Sequence, residues 1–230
     1  RVSTDYLPFS KQDDSGRFIG IDVDFARQVM DRLGCAYEFV GMVWKRALLQ
    51  VESGEVDAMM FASVTEERLK YAYFSSPYRK DVAGLIMRSS DIDSYPMETA
   101  EDLVLLNLKI GHFEGTYRGL AFDRVEGRLR ARGQVVLLNK MKQGLNMLQI
   151  GRIDALLALP HAALLRAKEM GIRDRLDVHP MILMNEPIHF MLSRRTVSKE
   201  LLGRINQAVR EVQDSRQYRD AFGHMAIAGS

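Results

Sequence analysis

The chain has 230 residues, 47% hydrophobic and 27% charged, enough to bury the core of one or two compact units and too few for three. Its 32 Lys and Arg against 30 Asp and Glu leave a net charge of +2, so no strong field points to nucleic acid or an acidic membrane as the main partner. Charges interrupt every apolar run well before the ~20 residues that a bilayer-spanning helix needs, and the one cysteine, Cys35, excludes an internal disulfide and a multi-thiolate metal site. Arg1 opens the chain with neither a Met nor a charged-then-apolar leader, as expected of a processed or trimmed terminus, which leaves secretion undecided.

In chain order, the first clear element is a helix over residues 22–33. Phe25, Ala26, Val29, Met30 and Leu33 share one face, Asp22 can cap its start and Gly34 can stop it. Residues 37–40 are expected as a strand that Cys35 enters as a small packed thiol. A helix over 45–53 ends at Gly54, and a buried strand over 56–61 follows. Residues 81–88 are extended. Then come a strand over 109–113, a helix over 117–130, a strand over 134–138 and a helix ending at Gly151. A strand over 153–157 and a helix opened by Pro160 and closed by Gly171 follow. Residues 181–192 are again extended, and a last helix over 198–213 takes Ser198 as its cap.

Strands alternating with amphipathic helices from end to end predict an α/β protein. Gly54-Glu55-Val56-Asp57-Ala58 and Gly151-Arg152-Ile153-Asp154-Ala155 repeat the order helix stop, any residue, β-branched residue, Asp, Ala. The repeat predicts two α/β lobes, each with a ligand-facing loop beyond the strand's carboxyl end, where open sheets bind. Those loops are residues 61–68, opened by Phe61 and Ala62, and residues 158–161. The two extended segments would then be crossings that make a hinge with a cleft between the lobes.

Nucleotide-binding, nucleophile-elbow and zinc-protease motifs are absent, so nothing advertises an enzyme. His112, His161, His179, His189 and His224 show no metal-ligand spacing, and no metal or other cofactor is expected. Asp22-Val23-Asp24 could suggest a cation, but both acids fall in a first helical turn, where capping is the expectation. Arg128, Arg130 and Arg132 lack interleaved aromatics and are expected to be a solvated helix end.

The run Ser63-Val64-Thr65-Glu66-Glu67-Arg68 differs in kind. Thr65 is a good N-cap and Arg68 places a planar fork of donors in the same turn, a socket for a carboxylate. The alternative is a surface pairing of Arg68 with Glu66 or Glu67. Glu114-Gly115-Thr116-Tyr117 offers a comparable helix start in the second lobe, with Gly admitting a ligand to the backbone and Thr supplying a hydroxyl and an amide. Tyr6, near Pro8 and Phe9, and Trp44 could form flat walls for a ligand, although each aromatic alone is more often core than pocket.

As an ordered set these pieces resemble the family 3 extracellular solute-binding proteins of bacterial ABC importers, nearly end to end. The resemblance rests on Tyr6-Leu7-Pro8-Phe9, Gly20-Ile21-Asp22-Val23-Asp24-Phe25-Ala26, the two repeated units, Thr65-Glu66-Glu67-Arg68, Phe74-Ser75-Ser76-Pro77-Tyr78 and Gly115-Thr116. It implies a type II periplasmic binding fold of two Rossmann-like lobes, roughly residues 1–84 with 190–230, and 85–189, closing around a ligand. It also implies that Arg68 holds the ligand carboxylate with help from Ser63 and the Thr116 backbone, and that Tyr6 and Trp44 sandwich the ligand. A permease partner, a periplasmic or extracellular location and a monomeric state are implied in the same way.

Relatives that bind α-amino acids place an acid where this chain has Leu159. The ligand is therefore expected either not to be an ordinary α-amino acid or to meet Glu114 or Glu186 instead. Trp44-Lys45-Arg46 resembles a variant that would bring a second guanidinium to the ligand, unless Arg46 lies on the exposed helix face. Two rival functions remain: a sensor domain detached from a receptor kinase, and an enzyme resembling the cyclohexadienyl dehydratases, with Glu114 and Glu186 as the candidate acids.

Overall fold

A computed structural model describes residues 1–227; the His224 side chain and residues 228–230 lie outside the described residues. The chain divides into two compact units, Arg1–Lys80 with Pro187–Ser230, and Asp81–Glu186. It therefore passes from one to the other twice.

In the first unit β1 (Asp5–Tyr6), β2 (Ser10–Gln12) and β3 (Phe18–Ile19) form a small antiparallel meander. They lead into α1 (Ile21–Leu33), then α2 (Trp44–Ser53), β4 (Ala58–Ala62), the one-turn α3 (Glu66–Leu69) and β5 (Ala72–Phe74). Gly34 and Gly54 stop α1 and α2 in the left-handed conformation that glycine adopts without steric cost. β6 (Arg79–Arg88) carries the chain into the second unit. There α4 (Ala100–Leu105), β7 (Ile110–Phe113), α5 (Leu120–Ala131), β8 (Val135–Leu138), α6 (Met141–Gln149), β9 (Ala155–Ala158) and α7 (Pro160–Glu169) follow in alternation. The long β10 (Leu176–Ser193) returns to the first unit, which α8 (Lys199–Gln213) and α9 (Arg216–Phe222) complete.

In the second unit β8, β7 and β9 run parallel, and β6 pairs antiparallel with β9 from Gly84 opposite Ala158 to Met87 opposite Ala155. The period of two sends successive side chains to opposite faces. Leu85, Met87 and Leu157 pack with Phe122, Val125 and Leu129 on one side, while Ile86 and Leu156 pack with Leu145, Leu148 and Ala163 on the other. Both faces are covered, which is why these strands read as continuous apolar runs. In the first unit β4 and β5 pair antiparallel with the last residues of β10, over a core of Ala47, Val51, Met59, Ala62, Ala72 and Met191.

Three expectations are corrected. Residues 37–40 form no strand. Among the described residues they meet the ladder pattern through buried Val2, whose amide donates to the Val40 carbonyl and whose carbonyl accepts from the Met42 amide. A single-residue partner cannot extend a ladder, and Cys35 lies half-buried in a loop. The helix expected from residue 117 begins at Leu120, because Gly119 (φ 94°) lies against β10 so closely that a Cβ there would sit 2.4 Å from the Leu183 carbonyl oxygen.

The third correction concerns Asp22, which does not cap α1; Gly20 is the N-cap residue. The Asp22 carboxylate is fully buried and accepts from Arg79 Nε at 2.9 and 3.1 Å, Arg79 Nη2 at 3.0 Å and the Tyr78 hydroxyl at 2.9 Å. Arg79 is buried as completely, its guanidinium carbon 3.9 Å from the centroid of the Phe9 ring. Burial pushes the Asp22 carboxyl up, and the Arg79 charge pulls it back. A buried charge stripped of its partner is costly. Asp22→Ala and Arg79→Met should each cost about 3–5 kcal/mol in denaturant unfolding. The double variant should lose clearly less than the sum of the two, and strict additivity would argue against the pair.

Candidate functional site

In the first unit the candidate residues gather at the carboxyl end of β4. Thr65 caps α3 as expected: its Oγ1 accepts from the Arg68 amide at 3.3 Å. That turn folds the Arg68 side chain back toward the strand end, where Nη1 donates to the Ser63 carbonyl at 3.0 Å. Arg68 is only 7% exposed, and its guanidinium carbon lies 5.4 Å from the centroid of the Trp44 ring at the start of α2. The Arg1 guanidinium approaches the same ring at 5.4 Å while donating to the Met42 carbonyl. The indole thus carries two cationic neighbours in a cation–π arrangement.

Tyr6 and Phe61 form a second grouping. Their rings meet edge-on at 5.7 Å, and Tyr6 also packs against Phe9 at 5.3 Å. Phe61 sits at φ 67°, a left-handed conformation that costs a side-chain-bearing residue of order 1–3 kcal/mol and clusters at functional sites. Ala62 and Ser63, both buried, link the two groupings through three consecutive residues. Arg46 is exposed on α2.

In the second unit the Glu114–Arg118 stretch is a turn and not a helix start, which corrects the expected anion-facing N-terminus. Gly115 (φ 72°) turns the chain, and both donors of Thr116 serve the Phe113 carbonyl, the amide at 3.2 Å and the hydroxyl at 2.7 Å. Glu114 is half-buried beside it. Leu159, at the N-cap of α7, is buried with 3% of its surface exposed, and His161 just beyond it is exposed. Glu186 accepts from the Tyr117 hydroxyl at 3.3 Å, so that acid is tethered to the turn.

Sequence reasoning missed Tyr78, Arg79 and Asp22 as a network behind the β4 end. Tyr78 lay inside the matching Phe74–Tyr78 segment, but no spacing rule ties it to a residue 56 positions away. Among the described residues no three His, Cys, Asp or Glu side chains gather as a metal site, and no helix is long and apolar enough to cross a membrane.

The sequence pattern of the bacterial extracellular solute-binding proteins, family 3, matches residues 1–223. The chain belongs to that family. Among curated relatives, the L-cystine-binding protein TcyJ of Escherichia coli K12 is 29% identical over 210 residues, covering 90% of this chain and 74% of TcyJ. Cyclohexadienyl dehydratase of Pseudomonas aeruginosa is 37% identical over a shorter 84 residues, 35% of this chain and 31% of the enzyme. Among solved structures, holo ArgBP from T. maritima superposes with a TM-score of 0.73 at 25% identity, covering 93% of this chain and 89% of that one. The fold is the type II periplasmic binding fold. The family identity and these relatives make solute binding the function of the chain at the level of class.

Within this family member the residue before Phe113 carries a titration of its own. His112 in β7 is 1% exposed and packs against Phe122 at 5.0 Å. Burial, reinforced by Arg118 and Arg130, pulls its imidazole down to about 3. Glu126 stands 3.7 Å from Nε2 but is itself paired with Arg130. The folded state therefore favours the neutral ring, so the stabilisation is complete above the ordinary pKa of 6.5 and is lost as pH falls from there toward 3. Urea unfolding between pH 7 and 5 should show stability falling with a slope approaching about 1.4 kcal/mol per pH unit from this group. His112→Phe should remove that component, and an unchanged pH slope in the variant would assign the acid sensitivity elsewhere.

Proposed function

We propose that the chain captures a small carboxylate-bearing, amino-acid-like solute for an ABC importer in the periplasm or outside the cell. In this reading Arg68 grips the carboxylate, and Trp44, Tyr6 and Phe61 supply the apolar walls. Solute contacts favour a closed state of the chain that a membrane permease recognises. The observation that carries the reading is the Arg68 guanidinium, pre-oriented by the capped turn, the Ser63 carbonyl and the Trp44 face. A planar fork held this way matches a carboxylate in two hydrogen bonds and loses little freedom on binding. The amino-acid class is supported by the relatives, among them a cystine-binding protein, histidine-binding proteins and arginine-bound structures.

Leu159 supports a narrower choice of ligand. A buried leucine offers an ammonium group nothing, and an unpaired ammonium out of water is expensive. The solute then either lacks that group or presents it to Glu186 or Glu114, of which Glu186 is the one fixed by a tyrosine hydroxyl.

Thermal unfolding with a panel of amino acids, opines, dicarboxylates and aromatic acids tests this. A ligand at a hundred times its Kd adds about 2.7 kcal/mol, about 5–10 °C in Tm for a chain of this size. Arg68→Ala should abolish that shift for a carboxylate ligand; a full shift in the variant would remove Arg68 from the site. If the active compound carries an ammonium group, Glu186→Gln should weaken it by at least about tenfold by calorimetry. Equal affinity in that variant and in Glu114→Gln would exclude both acids. The short dehydratase-like segment gives an enzymatic reading its one support, and a cyclohexadienyl acid converted to an aromatic product by the purified chain would establish it.

A further inference from the structure

We propose that Tyr78 is a positioning residue for solute capture: its hydroxyl holds a bulge at Phe61 and thereby sets where the Ser63 carbonyl and the Arg68 guanidinium stand. The inference rests on the reading of Arg68 as the carboxylate grip. The register of β4 against β10 carries it. Ala58 faces Leu192 and Met59 faces Met191, but Ala62 faces His189, so three steps along β4 correspond to two along β10. One residue is extra on the β4 side, and the positive φ of Phe61 marks the place. A bulge lifts an amide out of the ladder, bends the strand and re-aims the residues beyond it.

The displaced Phe61 amide does not go unpaired; it donates to the Tyr78 hydroxyl oxygen at 3.3 Å. That hydroxyl in turn donates to Asp22 at 2.9 Å, so its proton is committed and its lone pair faces the amide. Tyr78 itself is fully buried and anchored at several points. Its ring packs in a three-ring cluster with Phe25 at 5.1 Å and Phe190 at 4.9 Å, its amide donates to the Ile188 carbonyl, and its carbonyl accepts from the Tyr218 hydroxyl. The chain of contacts thus runs from a buried ion pair through one hydroxyl to the backbone two residues before Ser63. Removing the oxygen leaves the ring in place and takes away only the hydrogen bonds.

The test compares Tyr78→Phe with wild type in the full chain by amide hydrogen exchange and by calorimetry with L-arginine, L-histidine and L-cystine as probes. The Phe61 amide should exchange at least about a hundredfold faster in the variant while Met59 and Leu192 keep their protection, and the Arg68 Nε–H resonance should shift. The affinity for whichever probe binds should fall by about tenfold. In a Phe61→Gly background, where glycine holds the left-handed conformation unaided, Tyr78→Phe should have no further effect on affinity. Three results would each overturn the proposal: unchanged Phe61 protection, lost protection with unchanged affinity, or an equal loss in the glycine background. If no probe binds the wild type, the reading of Arg68 is what fails on those ligands, and the exchange rate together with the Arg68 resonance decides the role of Tyr78 without any ligand.

Discussion

The carboxylate of Asp22, taken wholly out of water, is the constraint on which the first unit is organised. Such a charge survives burial only when its lone pairs are filled and a counter-charge is close. Arg79 supplies both nitrogens of its fork, and Tyr78 supplies a third donor group. The three residues come from the first turn of α1 and from the stretch where the chain leaves for the second unit. To bring them together, α1, the entry to β6 and the aromatic cluster of Phe25, Phe190, Tyr218 and Phe222 must all be in place. The arrangement is therefore a checkpoint on correct assembly more than a source of net stability, since well-packed apolar residues would stabilise as much. What they could not do is present a hydroxyl to the Phe61 amide.

That hydroxyl connects core chemistry to the candidate site. A guanidinium that must meet a carboxylate has to be held in one orientation before the ligand arrives, or the ordering cost is subtracted from affinity. Arg68 is held from three directions: by the capped turn in its own backbone, by the Ser63 carbonyl and by the Trp44 face. The Ser63 carbonyl and the Trp44 face orient the guanidinium through its edge and its plane.

The elements legible in the sequence were those with a local cause. α1, α2, α7 and α8 announced themselves by apolar spacing and by Gly34, Gly54, Pro160 and Ser198 at their ends. The buried strands of the second unit announced themselves by unbroken apolar runs. Thr65 and Arg68 were legible for the same reason, because cap and fork lie within four residues. The features that escaped depended on contacts distant in sequence. The start of α5 is set by the approach of Gly119 to Leu183, the fate of residues 37–40 by a single buried residue at position 2, and the role of Asp22 by an arginine 57 positions away. In each case a local rule gave a sensible answer that a tertiary contact overrode. The bulge at Phe61 had no local signal either, since phenylalanine is among the residues least expected at positive φ.

The second unit contributes a different kind of selectivity on the proposed reading. Its strand β9 is buried along its whole length and runs directly into Leu159, so the place where a charge might have been offered is apolar. Elsewhere in the unit, the turn after β7 has its Thr116 donors spent on Phe113, and Glu186 accepts from the Tyr117 hydroxyl. On the proposed reading the first unit offers Arg68 as a cation, and the second unit offers Glu186 on its tyrosine tether. Discrimination would then come less from added attraction than from what the second unit withholds. An ammonium group that cannot reach Glu186 or Glu114 would lose its water and gain no partner, and that loss rejects the wrong ligand more effectively than one more hydrogen bond would favour the right one.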